Sequence, residues 1–251
     1  QEGCASGEGE GTMSNGTASA AAHADRVPFY VWQAPVRATH WLIFLSMAFL
    51  VVTGIYIVNP FINAPGPASD NFYIGWMKAI HMWSAIVFTL SVLSRIVWMF
   101  TGNRWSKWKQ FIPVQARRRH GLLGTLKFYL LLDSRPPFYI GHNPLAGAAY
   151  LLVFILYLVI IATGLGLYAQ SAHFASPFRF FEFFLPLFGG ASSARWIHHV
   201  VMWLLVGFVA HHVWSAFLVS RIEKNGTMDS IFSGYKYLEE EELDRALRGE
   251  E

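Results

Sequence analysis

Apolar positions along this chain fall in long blocks, with the charged positions gathered between them. Runs free of Asp, Glu, Lys and Arg cover Ala38–Val58, Ala79–Ser94, Asn143–Phe178 and Trp196–Ser220. The second resumes past Arg95 through Ile96–Phe100. Each block supplies about 20 apolar residues, the length of a helix that crosses a bilayer. The third is longer than one crossing, and its Gly, Ser and Pro content after Thr163 predicts that the helix ends near Ala169. The pattern predicts four spans, at about 35–58, 75–100, 144–169 and 194–221. The expected fold is an all-α membrane protein, a four-transmembrane-helix bundle over residues 28–222, with a disordered leader at 1–27 and a C-terminal tail at 223–251. A composition of 54% hydrophobic and 14% charged residues excludes an ordinary soluble domain.

The charged positions set the topology. Between the second and third spans stand Arg104, Lys107, Lys109, Arg117, Arg118, Arg119, Lys127 and Arg135 against a single acid, Asp133. The connectors on the other side carry only Lys78, Arg179 and Arg195 among basic residues. Positive residues favour the cytoplasm, so this loop and both termini are expected to be cytoplasmic. Arg117–Asp133 carries leucines and aromatics that predict an interfacial helix. Beside a membrane, the Arg117–Arg119 cluster reads as topology or contact with lipid headgroups rather than nucleic-acid binding. The acidic run Glu239–Glu242 predicts a solvated helix or disorder in the tail. The single Cys4 excludes an internal disulfide or a cysteine-held iron–sulfur cluster, and is expected to carry no chemistry.

Four histidines interrupt the apolar blocks: His40, His81, His198 and His212. Ionisable side chains inside a membrane are costly and usually functional. His198 and His212 lie fourteen residues apart, a rotation within about 40° of whole turns and a rise of about 21 Å. Topology puts His40 level with His212 near the cytoplasmic face, and His81 level with His198 near the outer face. Two imidazoles at one depth can ligate a haem iron from above and below, so the pattern predicts two b-type haems. The absence of Cys-x-x-Cys-His argues against covalent attachment. His199 and His211 compete as ligands, but each lies about 220° from the ligand it would have to accompany. Zinc would gather three or four ligands in one place, and a proton relay would use intramembrane acids that the spans lack.

Other positions support a cofactor slot while keeping a simpler reading. Gly54, Gly164, Gly166 and Gly207 admit a flat macrocycle or serve helix packing. Arg37, about one turn before His40, pairs with a haem propionate or snorkels. Trp32, Trp41, Trp76, Trp105 and Trp196 fit an aromatic belt at the span edges.

The stretches Ala34-Pro-Val-Arg-Ala-Thr-His-Trp41, Arg95-Ile-Val-Trp-Met-Phe-Thr-Gly-Asn-Arg104 and Gly141-His-Asn-Pro144, with His198–His212 around Met202-Trp203, cover roughly residues 28–237. In order and content they resemble the b-type cytochrome subunit of membrane-bound [NiFe] hydrogenases, related to the cytochrome b subunits of formate dehydrogenase. The resemblance implies a multi-pass protein of the bacterial cytoplasmic (inner) membrane. Its implied partners are the hydrogenase small subunit and, through it, the large subunit. It implies electron transfer to a quinone, through an outer haem on His81 and His198 and an inner haem on His40 and His212. The hydrogen-activating chemistry would then lie in the partner. His142 and Asn143, at the start of the third span, are candidates for the quinone site; alternatively Asn143 and Pro144 form a helix cap. Competing functions are the same wire serving another dehydrogenase, and a cofactor-free membrane anchor.

Overall fold

The computed structural model describes residues 26–61, 67, 71–112, 116–130, 132–133 and 139–248. Cys4, Arg135 and all of the leader except Arg26 and Val27 lie outside the described residues. Four long helices carry the apolar blocks: α1 (Ala34–Val58), α2 (Tyr73–Thr101), α4 (Pro144–Ser171) and α6 (Ala191–Glu223). All four are long and apolar enough to cross a membrane. Their outward faces are bare hydrocarbon: Val52 is 64% exposed and Trp83 70% exposed. A surface of that kind is stable only against lipid or another apolar partner.

Local chemistry sets the helix ends. Pro35 occupies the first turn of α1, where its missing N–H costs nothing. Asn143 caps α4 by accepting from the Ala146 N–H at 2.7 Å, with Pro144 following. α2 stops at Gly102, just before Gln33 clasps the corner. The Gln33 Oε1 accepts from Trp98 Nε1 at 3.1 Å and from the Asn103 N–H at 2.9 Å. This ties the start of α1 to the end of α2. Helix α3 spans Ala116–Tyr129, and the short helix α5 (Phe184–Leu187) precedes α6.

α1 packs on α2, and α4 on α6, as two antiparallel hairpins. Between them a core takes two residues from each helix: Ile43 and Met47, Phe88 and Val92, Val153 and Tyr157, Val201 and Leu205. Steps of seven residues above and below this core define three layers. At the end bearing α3, called the basic end below, stand His40, Arg95, Tyr150 and His212. The middle layer is Met47, Phe88, Tyr157 and Leu205, and the opposite layer is Gly54, His81, Gly164 and His198. A seven-residue step keeps one helix face toward its neighbours and rises about 10 Å.

The all-α expectation needs one amendment. The tail folds back as α7 (Thr227–Ser233), strand β2 (Tyr235–Leu238) and α8 (Glu240–Arg248). β2 pairs antiparallel with β1 (Val27–Tyr30), and Val27 faces Leu238. The Gly234 carbonyl accepts from the Val31 and Trp32 amides, and Trp32 Nε1 donates to Ser230 Oγ at 3.1 Å. Val31, Ile140 and Leu238 are completely buried here in a second small core. The segment before α1 and the segment after α7 are thereby held together at the basic end. The acidic run opens α8, a largely exposed helix as expected, whereas the docking of Tyr235–Leu238 was not foreseen because its partner strand lies about 200 positions away in the sequence.

Candidate imidazole layers in the helix bundle

At the basic end, the His40 and His212 rings face one another with centroids 6.2 Å apart and planes inclined at 56°. Metal–nitrogen bonds of about 2 Å on each side, plus the two ring radii, place opposed imidazole ligands about 6 Å apart. The geometry therefore fits an iron held between them. His40 Nδ1 is buried without a hydrogen-bond partner among the described residues, whereas His212 Nδ1 lies 3.1 Å from the Tyr150 hydroxyl. Tyr150 was not singled out from the sequence. Its signal was the seven-residue step to Tyr157 and Gly164 in the same helix.

At the opposite end, His81 of α2 and His198 of α6 stand one seven-residue step beyond Phe88 and Leu205 of the core. Each is seated on a glycine of the neighbouring helix. A Cβ on Gly54 would stand 3.4 Å from His81 Cε1, and one on Gly164 would stand 3.1 Å from His198 Cε1. Each also meets the threonine just before that glycine: Thr53 Oγ1 lies 2.9 Å from His81 Nδ1, and Thr163 Oγ1 lies 3.0 Å from His198 Nδ1. Gly166 instead packs on Phe184 and Leu185, and a Cβ at Gly207 would meet nothing within 4 Å.

The competing histidines are placed differently. His211 is exposed, near Ser215, Tyr129 and Trp214. His199 is half-buried, with its ring 6.3 Å from that of His198. Arg37 reaches the Phe232 carbonyl in α7, and its Nε is buried without a partner among the described residues. Arg95, 7% exposed, donates to the Ser106 carbonyl at 3.4 Å and lies over the Phe111 ring.

His142 leads from this layer toward the loop. Its ring packs 4.9 Å from Trp32, 5.5 Å from Phe111 and 4.8 Å from Tyr150, and its Nδ1 is buried without a partner among the described residues. Burial, followed by the nearby charges of Arg95, Lys236, His212 and Arg118, holds this imidazole well below the usual histidine range. It is therefore neutral near pH 7. Arg118 fixes the segment by donating to the carbonyls of Gln110 and His142, each at 2.9 Å. The Asn143 side chain meets Tyr129, whose hydroxyl burial shifts above its ordinary range. Beside Tyr129 lies a cavity of about 580 Å³ lined by Phe128, Leu132, Trp214, Leu218 and Ile222, with Asp133 also on its wall.

Fold and sequence together define a multi-pass membrane protein of the b-type cytochrome class, with imidazoles from separate helices brought together inside its helix bundle. The chain belongs to the prokaryotic cytochrome b561 family, whose sequence profile matches residues 31–234. It is similar to the "Probable Ni/Fe-hydrogenase 1 B-type cytochrome subunit" of Escherichia coli, at 37% identity over 214 residues, covering 84% of this chain and 91% of that protein. A "Probable Ni/Fe-hydrogenase B-type cytochrome subunit" of Cupriavidus necator is 34% identical over 235 residues, covering 92% and 93% of the two chains. One of the same description from Azotobacter vinelandii is 33% identical over 218 residues, covering 86% and 91%.

Proposed function

We propose that this chain is the electron-transfer subunit of a membrane-bound [NiFe] hydrogenase, carrying electrons across the bacterial cytoplasmic membrane to a quinone. The observation that carries the reading is the approach of His40 to His212, 6.2 Å between rings, with His81 and His198 in the opposite layer and α6 contributing one histidine to each. His81 and His198 would hold an outer haem b, and His40 and His212 an inner one. When bound, each haem supplies a one-electron iron couple. The chain's own residues then have three tasks: His40, His81, His198 and His212 ligate, the glycines at 54 and 164 admit close approach, and the apolar middle layer excludes water between the two sites. Arg37 is proposed to meet an inner-haem propionate, since its buried Nε lacks a partner among the described residues.

The basic loop supports the reading that this end of the bundle, and both termini with it, lies on the cytoplasmic side. The opposite end would then face the periplasm and receive electrons from the hydrogenase small subunit, itself bound to the large subunit. The names of the relatives support this partner over another dehydrogenase. A quinone site needs an apolar slot with a few polar groups. The cavity beside Tyr129 offers the slot; Asn143 meets Tyr129 on its wall, and His142 packs on Tyr150, the neighbour of His212. The cap engages the Asn143 oxygen, so its NH2 donor is the part proposed to serve the site.

Reduced-minus-oxidised spectra of the purified complex test the reading. Two b-type haems per chain, with a nickel–iron large subunit copurifying, are expected; absence of a b-type signal would overturn it. Quinone-reduction rates of His142→Ala and Asn143→Ala, with haem content intact, test the quinone site, and unchanged turnover would remove it.

A further inference from the structure

The two imidazole layers differ in how the outer nitrogen of each ring is held. A threonine hydroxyl has one hydrogen and can accept two bonds. Thr53 spends its hydrogen within α1, donating to the Phe49 carbonyl at 2.6 Å. Thr163 does the same in α4, donating to the Val159 carbonyl at 2.8 Å. Toward His81 and His198 each hydroxyl can therefore only accept, so each Nδ1 carries the proton. With Nδ1 protonated, the Nε2 lone pair is free to bind a metal.

Such back-bonding hydroxyls are common in apolar helices, and Ser46 and Ser91 make them here without touching a histidine. What sets Thr53 and Thr163 apart is the imidazole at 2.9 and 3.0 Å, and the glycine next in sequence beneath the same ring. One Thr-Gly pair in the first helix of each hairpin thus grips the histidine of the second helix. The basic-end layer has no equivalent: His212 meets a tyrosine, and His40 Nδ1 meets nothing among the described residues.

We propose that Thr53 and Thr163 are positioning residues of the outer haem. They fix the tautomer and ring plane of His81 and His198, and they set that haem's potential independently of the inner one. This rests on the di-haem reading above. An acceptor on Nδ1–H raises the basicity of the ligating nitrogen, which favours ferric iron and lowers the potential.

The test is redox titration and low-spin EPR of the purified holoprotein, with each haem assigned by its ligand-deletion variant. In Thr53→Val and Thr163→Val the outer haem's midpoint is expected to rise and its EPR signal to shift and broaden. Its retention should fall about ten- to a hundred-fold. The inner haem should be unchanged, Ser at either position should restore the wild-type values, and Ser46→Ala and Ser91→Ala should leave both haems unchanged. Unaltered outer-haem potential and EPR in both Val variants would overturn the proposal. So would equal shifts of the two haems, or failure of Ser to rescue. Wild-type protein without two b-type signals would instead overturn the di-haem reading beneath it. Should the Val variants not accumulate, the untouched protein decides: the outer signal is expected to be narrower than the inner, and equal widths would refute the proposal.

Discussion

His40 and His212 come from helices at opposite ends of the sequence, yet their rings oppose one another at 6.2 Å across the bundle. If this pair is the inner ligand set, His40→Ala and His212→Ala each remove the inner haem's optical signal and leave the outer one. His81→Ala and His198→Ala do the converse. His199→Ala and His211→Ala retain both haems. Spectra of the six variants check this, and loss of haem in His211→Ala would shift the ligand assignment by one residue.

The neutral state of His142 makes the basic end sensitive to acid. Its folded pKa is depressed while the unfolded chain protonates near the ordinary value of about 6.5, so the unfolded state binds the additional proton. The stabilisation is complete above that value and is lost as pH falls below it, by at most about 1.4 kcal/mol per pH unit. Thermal unfolding in detergent should show a midpoint that falls with pH in this range. His142→Phe, which keeps an aromatic ring between Trp32 and Phe111, should flatten the slope.

Arg118 is a clamp on the loop between α2 and α4. Arg118→Ala leaves the Gln110 and His142 carbonyls without this donor, at about 1–3 kcal/mol for each buried group left unmet. Faster proteolysis of that loop, with haem content preserved, is the expected outcome.

Docking of the tail depends on Gly234, whose φ of 92° lies in the left-handed region. A Cβ there would meet the Tyr30 ring at 2.6 Å and the Trp32 carbonyl at 2.8 Å. Gly234→Ala should therefore destabilise docking by about 1–3 kcal/mol and expose residues 235–248 to protease. Unchanged digestion would show that the tail is held elsewhere.

Orientation can be read with thiols in a Cys4→Ser background. Ser176→Cys, in the connector between α4 and α6, should label from the periplasmic side of intact cells. Ser233→Cys should label only after the membrane is opened. The reverse pattern would invert the proposed direction across the bilayer.

The four spans were legible in the sequence because bilayer thickness imposes a length on every apolar block. The favoured pair on α6 was legible because helical phase is a local property: His198 and His212 share a face whatever surrounds them. Thr53 and Thr163 escaped notice because a threonine hydroxyl in an apolar helix can satisfy itself on its own backbone, and Tyr150 because an aromatic residue in an apolar run reads as packing. Only the neighbouring helix shows that each also meets an imidazole. The seven-residue steps through Gly54, Tyr157 and Leu205 were the available signal, and they acquire meaning once the hairpins are antiparallel and in register.

Length, hydropathy and charge by themselves determined a four-span bundle with a basic end and histidines at two depths. Each of these follows from solvent preference and helix geometry along a single segment. The tertiary structure decided which glycine seats each outer imidazole, which hydroxyl holds its nitrogen, and that the segment before α1 and the segment after α7 join in one small sheet. Those are contacts between segments 28 to about 200 residues apart, and their formation depends on how the helices pack rather than on any local run of residues.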